Sequence, residues 1–187
     1  MDRKRVVITG MGAVTPIGLS VEEFWKGCME GRNGIDTITH FDPADFAVRI
    51  AAELKGFNPE DYMERVDARK MDRFTQLAVV AAEMAAEDAG LDTSAGYAER
   101  AGCLIGSGIG GIGTFEEQHT RLLSKGPTRI SPFFVPMMII DMAPGLVSMR
   151  LNLKGPNFGI VSACASGAHA IGTAYRIIER GEADVMV

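Results

Sequence analysis

The chain has 187 residues, 47% apolar and 23% charged, which excludes a disordered or fibrous protein. At this length folding buries about 70% of the unfolded surface, so a core forms without a metal or disulfide staple. Lys and Arg number 19 against 24 Asp and Glu, and the net charge of −5 argues against non-specific nucleic-acid binding.

Arg5-Val6-Val7-Ile8-Thr9 predicts a buried strand closed by Gly10, and its apolar stretch is too short for a signal-peptide core. A helix follows over 21–30, with Ser20 and Glu23 as a capping box and Gly31 past its end. Residues 32–47 read as loop, marked by Asn33-Gly34 and Asp42-Pro43, and 48–53 as a strand. The longest helix is expected over 68–89, where Phe74, Leu77, Ala81 and Met84 recur at helical spacing and Gly90 stops it. Its many alanines make it thin enough for close packing against a neighbour.

Residues 101–106 predict a second buried strand, running into the turn Gly106-Ser107-Gly108-Ile109-Gly110-Gly111 and a helix over 114–124. Ser131-Pro132-Phe133-Phe134-Val135-Pro136 reads as an exposed or interface loop, because proline cannot sit in a central strand. A helix is expected over 136–152 with a bend at Pro144-Gly145, then a strand over 158–163, a helix over 166–180 and a strand from 184. The order predicts an α/β fold. The longest apolar run, 135–140, is interrupted by Pro136, so no membrane span is expected. The sequence stops inside an apolar, strand-like run, so residues 1–187 are expected to be the front part of a longer protein, truncated at the C-terminal side.

Three motifs carry chemistry. Gly106, Gly108 and Gly111 form a GxGxxG between strand and helix, the context of a dinucleotide fingerprint. No acid stands about 20 residues later to hold a ribose, where the chain reads Arg129-Ile130-Ser131-Pro132, so a nucleotide-binding oxidoreductase is disfavoured. Cys164 lies in Val161-Ser162-Ala163-Cys164-Ala165-Ser166-Gly167, where a strand feeds small residues and then a helix. That is the setting of a nucleophile on a tight turn, where the helix N-terminus favours thiolate over thiol. An inert buried cysteine is the competing reading. Cys28, within an amphipathic helix, and Cys103, within a strand, read as small core residues. The three cysteines are odd in number, with no CxxC or Cys/His cluster, so no metal site or disulfide is indicated and free thiols in a reducing cytoplasm are expected. His169 lies about 140° around the helix from Cys164, and neither His40 nor His119 offers it an evident base. Arg65, Arg69, Lys70 and Arg73 cluster at the start of the long helix, either as a solvated face with Asp67 and Asp72 or as a docking patch for an acidic partner.

Taken in order, these segments resemble one family. They are Val6-Val7-Ile8-Thr9-Gly10-Met11-Gly12, Thr15-Pro16-Ile17-Gly18, Arg69-Lys70-Met71-Asp72-Arg73-Phe74, the Gly106–Gly111 turn, the Ser131–Pro136 loop, Ala163-Cys164-Ala165-Ser166-Gly167 and Gly181-Glu182-Ala183-Asp184-Val185-Met186-Val187. The chain is similar throughout to the β-ketoacyl-acyl-carrier-protein synthases of type II bacterial fatty-acid synthesis, closer to the synthase II branch than to synthase I. The resemblance implies the N-terminal half of a thiolase-like fold, layered α/β with a mixed sheet, usually in a homodimer. It implies that Cys164 accepts the acyl group, that Ile109 and Phe134 line or gate the acyl pocket, and that Arg69, Lys70 and Arg129 meet acyl-carrier protein. It implies condensation of acyl-Cys with malonyl-carrier protein to a 3-oxoacyl product and CO2, in the cytoplasm, with no cofactor, metal, nucleic acid or membrane. The family's two catalytic histidines and a lysine would lie beyond residue 187. The alternatives are a polyketide-type ketosynthase and a noncatalytic chain-length-factor-like subunit, which usually lacks the cysteine.

Overall fold

The computed structural model describes residues 4–187; Met1, Asp2 and Arg3, the start of the basic N-terminal stretch, lie outside the described residues. The elements are α1 (Val21–Met29), β1 (Asp36–Thr37), β2 (Ile50–Ala51), α2 (Arg65–Ala68), α3 (Arg73–Asp88), β3 (Ala101–Gly106), α4 (Ile112–Lys125), α5 (Phe134–Met138), α6 (Met142–Leu151), β4 (Asn157–Ile160), α7 (Ser166–Glu179) and β5 (Val185–Met186). β3 is the middle strand of a parallel sheet ordered β4-β3-β5. Antiparallel pairing among the described residues occurs in the separate β1–β2 ribbon and one isolated bridge, Thr15 to Gly18.

The pleat of β3 divides the core in two. Ala101, Cys103 and Ile105 face a cluster with Val79, Val80 and Val147, which come from α3 and α6. Leu104 faces the other way, toward Ala170 and Ile177 of α7. A strand covered on both faces reads as a continuous apolar run, which is why residues 101–106 are legible as a buried parallel strand. The layers are therefore α3 and α6, the sheet, and α7.

Four expectations are corrected. Residues 5–9 form no ladder among the described residues, and Val7 and Ile8 are exposed. β propensity describes a residue beside a partner strand, whereas this segment leads onto α3. There the Met11 N–H donates to Asp88 Oδ2 at 2.9 Å, and a Cβ on Gly12 would collide with the Ala81 carbonyl. The alanine-rich helix is indeed approached closely, by the chain's own N-terminal segment.

The expected helix over 68–89 starts later, at Arg73: Ala68 ends the short α2, and residues 69–72 belong to no helix. Asp72 leaves helical geometry (φ −69°, ψ 161°) and caps α3, its Oδ1 accepting from the Phe74 N–H at 3.2 Å. A side chain that offers the backbone an alternative partner breaks a helix there. The expected bend at Pro144-Gly145 is absent. Pro144 occupies the first turn of α6, where its missing N–H removes no helical bond, and the interruption falls at 139–141 instead. The Phe-Phe loop turns helical at Phe134, with Pro136 again in the first turn.

No helix among the described residues is long and apolar enough to cross a membrane.

Candidate active site

Cys164 lies in a single 3-10 turn, Ala163–Ala165, between β4 and α7. The preceding residue, Ala163, has φ +48°, one of two non-glycine residues with positive φ among the described residues. A Cβ makes that conformation cost on the order of 1–3 kcal/mol. The turn is held by a compact network. The Ala165 N–H donates to the Ser162 carbonyl at 3.0 Å. Ser166 Oγ accepts from the Ser162 N–H at 2.9 Å and donates to the Ala163 carbonyl at 2.7 Å. Ser162 Oγ and His169 Nδ1 share a hydrogen bond of 2.5 Å. The result is an exposed cysteine immediately ahead of the N-terminus of a 14-residue helix.

The glycine turn after β3 lies directly against this kink. A Cβ on Gly108 would come within 3.6 Å of the Ala163 carbonyl, and one on Gly106 would strike the Ser166 backbone. The turn carrying Ile109 and the turn carrying Cys164 are thus brought together. Ile109 itself is exposed. Phe134 joins through α5: the Gly111 N–H donates to the Met138 carbonyl at 2.9 Å, and the Phe134 ring lies 6.2 Å from that of Phe115 on α4.

A dinucleotide would need the N-terminal N–H groups of α4. The Gly111 N–H is given to Met138, and Asp72 Oδ2 accepts from the Thr114 N–H at 3.2 Å and Thr114 Oγ1 at 2.6 Å. A carboxylate already stands where a pyrophosphate would go, so the missing ribose acid and the geometry agree.

Asp72 and Gln118 also place the basic residues. Asp72 ties the Arg69–Arg73 segment to Thr114, and Gln118, four residues along α4, accepts from the Ser131 N–H at 2.8 Å. Arg69 and Arg129 are both exposed and have no ion-pair partner among the described residues. Lys70 is exposed beside Asp67 at 3.9 Å, and Arg65 meets Glu60 at 3.4 Å. Arg73 is exposed too, with its guanidinium 4.9 Å from the centre of the Phe57 ring.

Cys103 is buried, which pushes its thiol up to about 12. Cys28 is exposed, correcting the expectation of a core residue; Gly27, not Cys28, is the buried position of α1. His40 Nε2 faces Glu53 at 4.0 Å and His119 stacks on Phe115. His169 reaches Ser162, so each histidine has a partner other than Cys164. No group of metal-ligating side chains occurs among the described residues.

Sequence reasoning missed Asp72, Ser166 and Asp184. Asp72 was detectable as an N-cap signal before Phe74. Asp184 holds Arg100 Nη2 at 2.9 Å and Lys4 at 3.1 Å, and those cations keep its carboxyl well below the usual carboxylate range. Nothing local in Asp184-Val185-Met186 announces partners 84 and 180 residues away.

Residues 3–187 match the family model described as "Beta-ketoacyl synthase, N-terminal domain". The chain is 55% identical over 186 residues to a protein named 3-oxoacyl-[acyl-carrier-protein] synthase 2 from Staphylococcus aureus (strain COL), covering 100% of this chain and 45% of that one. Among solved structures, the ishigamide ketosynthase/chain length factor superposes with a TM-score of 0.89 at 30% identity, over 99% of this chain and 46% of that one. A type II PKS ketosynthase in complex with its acyl-carrier protein gives 0.84 at 26% identity, over 98% and 49%. The chain spans about half the length of the relatives it matches.

Proposed function

Because this chain belongs to the β-ketoacyl synthase family, we propose that it supplies the nucleophile, pocket wall and docking surface of a condensing acyltransferase. The observation that carries the reading is an exposed cysteine on a kinked turn ahead of α7, in a chain similar along its whole length to a 3-oxoacyl-acyl-carrier-protein synthase. The Cys164 thiolate attacks the thioester carbonyl of an acyl chain on acyl-carrier protein. The carbonyl opens to an oxyanion, then re-forms and expels the carrier's phosphopantetheine thiolate, leaving acyl-Cys164. Malonyl-carrier protein then binds and loses CO2. Its carbanion attacks the acyl-Cys164 carbonyl, the Cys164 thiolate leaves, and the carrier departs with a 3-oxoacyl chain.

Ile109 and Phe134 line the acyl pocket, one on the glycine turn beside Cys164 and the other on the segment packed against that turn. Arg69, Lys70 and Arg129 dock the acidic carrier. Groups that stabilise the enolate during decarboxylation come from outside these 187 residues, which act as the N-terminal ketoacyl-synthase domain of a homodimeric, cytoplasmic protein; the N-terminal-domain match and the 45% share of the synthase 2 relative support this reading. The fatty-acid pathway is favoured over a polyketide one by 55% identity to the synthase 2 relative against 26% for the type II PKS neighbour. The presence of Cys164 argues against a chain-length factor.

The test uses the full-length protein that carries this chain, with acyl- and malonyl-carrier proteins, and follows 3-oxoacyl product by mass spectrometry. Product should form and should vanish in Cys164→Ala. Undiminished product in that variant would overturn the reading.

A further inference from the structure

We infer that Ser166 is a positioning residue for Cys164: its hydroxyl locks the strained Ser162–Ala163 backbone that presents the thiol. The inference rests on the acyl-transfer reading for its purpose, though its geometry stands apart from it.

Ala163 holds φ +48° in a region that L side chains rarely adopt, so something must over-determine it. Ser166 is the group placed to do so. It is 3% exposed, and its hydroxyl is fully used, accepting from the Ser162 N–H and donating to the Ala163 carbonyl. Those two groups bracket the kink immediately before Cys164. The serine is itself pinned, because β3 presses on its backbone at Gly106, where any side chain would collide. On the outer side, His169 holds the Ser162 hydroxyl. Ser166 spends both its hydroxyl hydrogen bonds on the turn before the helix. Removing the hydroxyl leaves the Ser162 N–H without a partner and the Ala163 carbonyl with the Ser166 backbone N–H alone, and lets Ala163 relax to negative φ, which swings Cys164 away from the helix end.

The experiment compares wild type, Ser166→Ala, and Ser166→Ala combined with Ala163→Gly in the full-length protein. Glycine adopts positive φ without strain, so it should remove most of the need for the clamp. Two readouts are taken: iodoacetamide alkylation of Cys164 at neutral pH, mapped by peptide mass, and single-turnover acylation from acyl-carrier protein. Ser166→Ala should slow alkylation about tenfold and acylation at saturating carrier by about 30-fold, with KM within threefold of wild type. The double variant should regain at least fivefold in both. Should Ser166→Ala be insoluble, a soluble double variant with restored alkylation supports the same conclusion. Wild-type alkylation rates in Ser166→Ala, a loss confined to KM, or a double variant that is insoluble or recovers nothing would overturn it. Wild-type protein that alkylates at Cys164 but never acylates would instead defeat the acyl-transfer reading, leaving the alkylation arm to judge Ser166.

Discussion

The three cysteines show how far residue type and spacing reach. Cys164 could be picked out because its neighbours are small and flank a strand-to-helix change, a local signal. Cys103 could be assigned to a buried strand by the same kind of local pattern. Cys28 could not be placed, because a nine-residue amphipathic helix leaves the burial of a flank position to its tertiary neighbours. In native full-length protein, iodoacetamide should therefore label Cys164 first and Cys28 more slowly. Cys103 should stay unmodified, its thiol held neutral by burial. Peptide mapping over time gives the order, and early labelling of Cys103 would contradict the packing of β3. Ile109 tests the pocket at the same scale. Ile109→Phe adds bulk where terminal methylenes would pack, each worth about 0.8 kcal/mol of burial. Relative kcat/KM should fall for long acyl chains and hold for short ones, whereas equal losses would indicate general damage.

At the scale of elements, the helices were legible in kind and misjudged in their breaks. Apolar periodicity runs through 68–89 without interruption, yet the helix starts only after Asp72, whose Oδ1 caps the Phe74 N–H. One carboxylate caps α3 through Phe74 and α4 through Thr114. Loss of a single cap costs about 0.5–2 kcal/mol, so Asp72→Ala should destabilise the protein by about 1–4 kcal/mol, read as a lowered midpoint in denaturant. A loss below about 0.5 kcal/mol would show that neither bond contributes as a cap. The same segment carries Arg69 and Lys70, proposed above to dock the carrier. Reversing Arg69 and Lys70 to Glu should raise KM for acyl-carrier protein and flatten its salt dependence while kcat at saturation stays within a few-fold. Unchanged kinetics would return both residues to a solvated face.

For the whole molecule, the α/β class could be read from strand and helix order and a layered arrangement from the resemblance, but the long-range ion pairs and the unpaired N-terminal segment could not be anticipated. The chain exposes 11777 Å², against about 8,700 Å² expected for a compact protein of 20.1 kDa. Part of the excess is apolar, including Ile8, Val161 and Ile171, and α7 is apolar on both its packed and its outer face. A helix of that kind belongs between two layers. Asp184 links the N-terminal segment to the start of β3 and to β5, and its carboxyl is lowered by hydrogen bonds from Arg100 and then Lys4. A lowered carboxyl stabilises the fold above its unfolded value, about pH 4, and loses that contribution as pH falls further toward its folded value. Asp184→Asn should therefore lower stability at neutral pH and reduce the pH dependence of unfolding below about pH 4, followed by circular dichroism; identical acid transitions would remove the ion pair from the stability account. The central claim, that Cys164 carries the acyl group, is tested most directly by intact and peptide mass after mixing the full-length protein with acyl-carrier protein alone. One added acyl mass per chain is expected, on the peptide containing Cys164 and labile to hydroxylamine. An adduct on Cys28 or another residue, or no adduct under conditions where product forms, would contradict it.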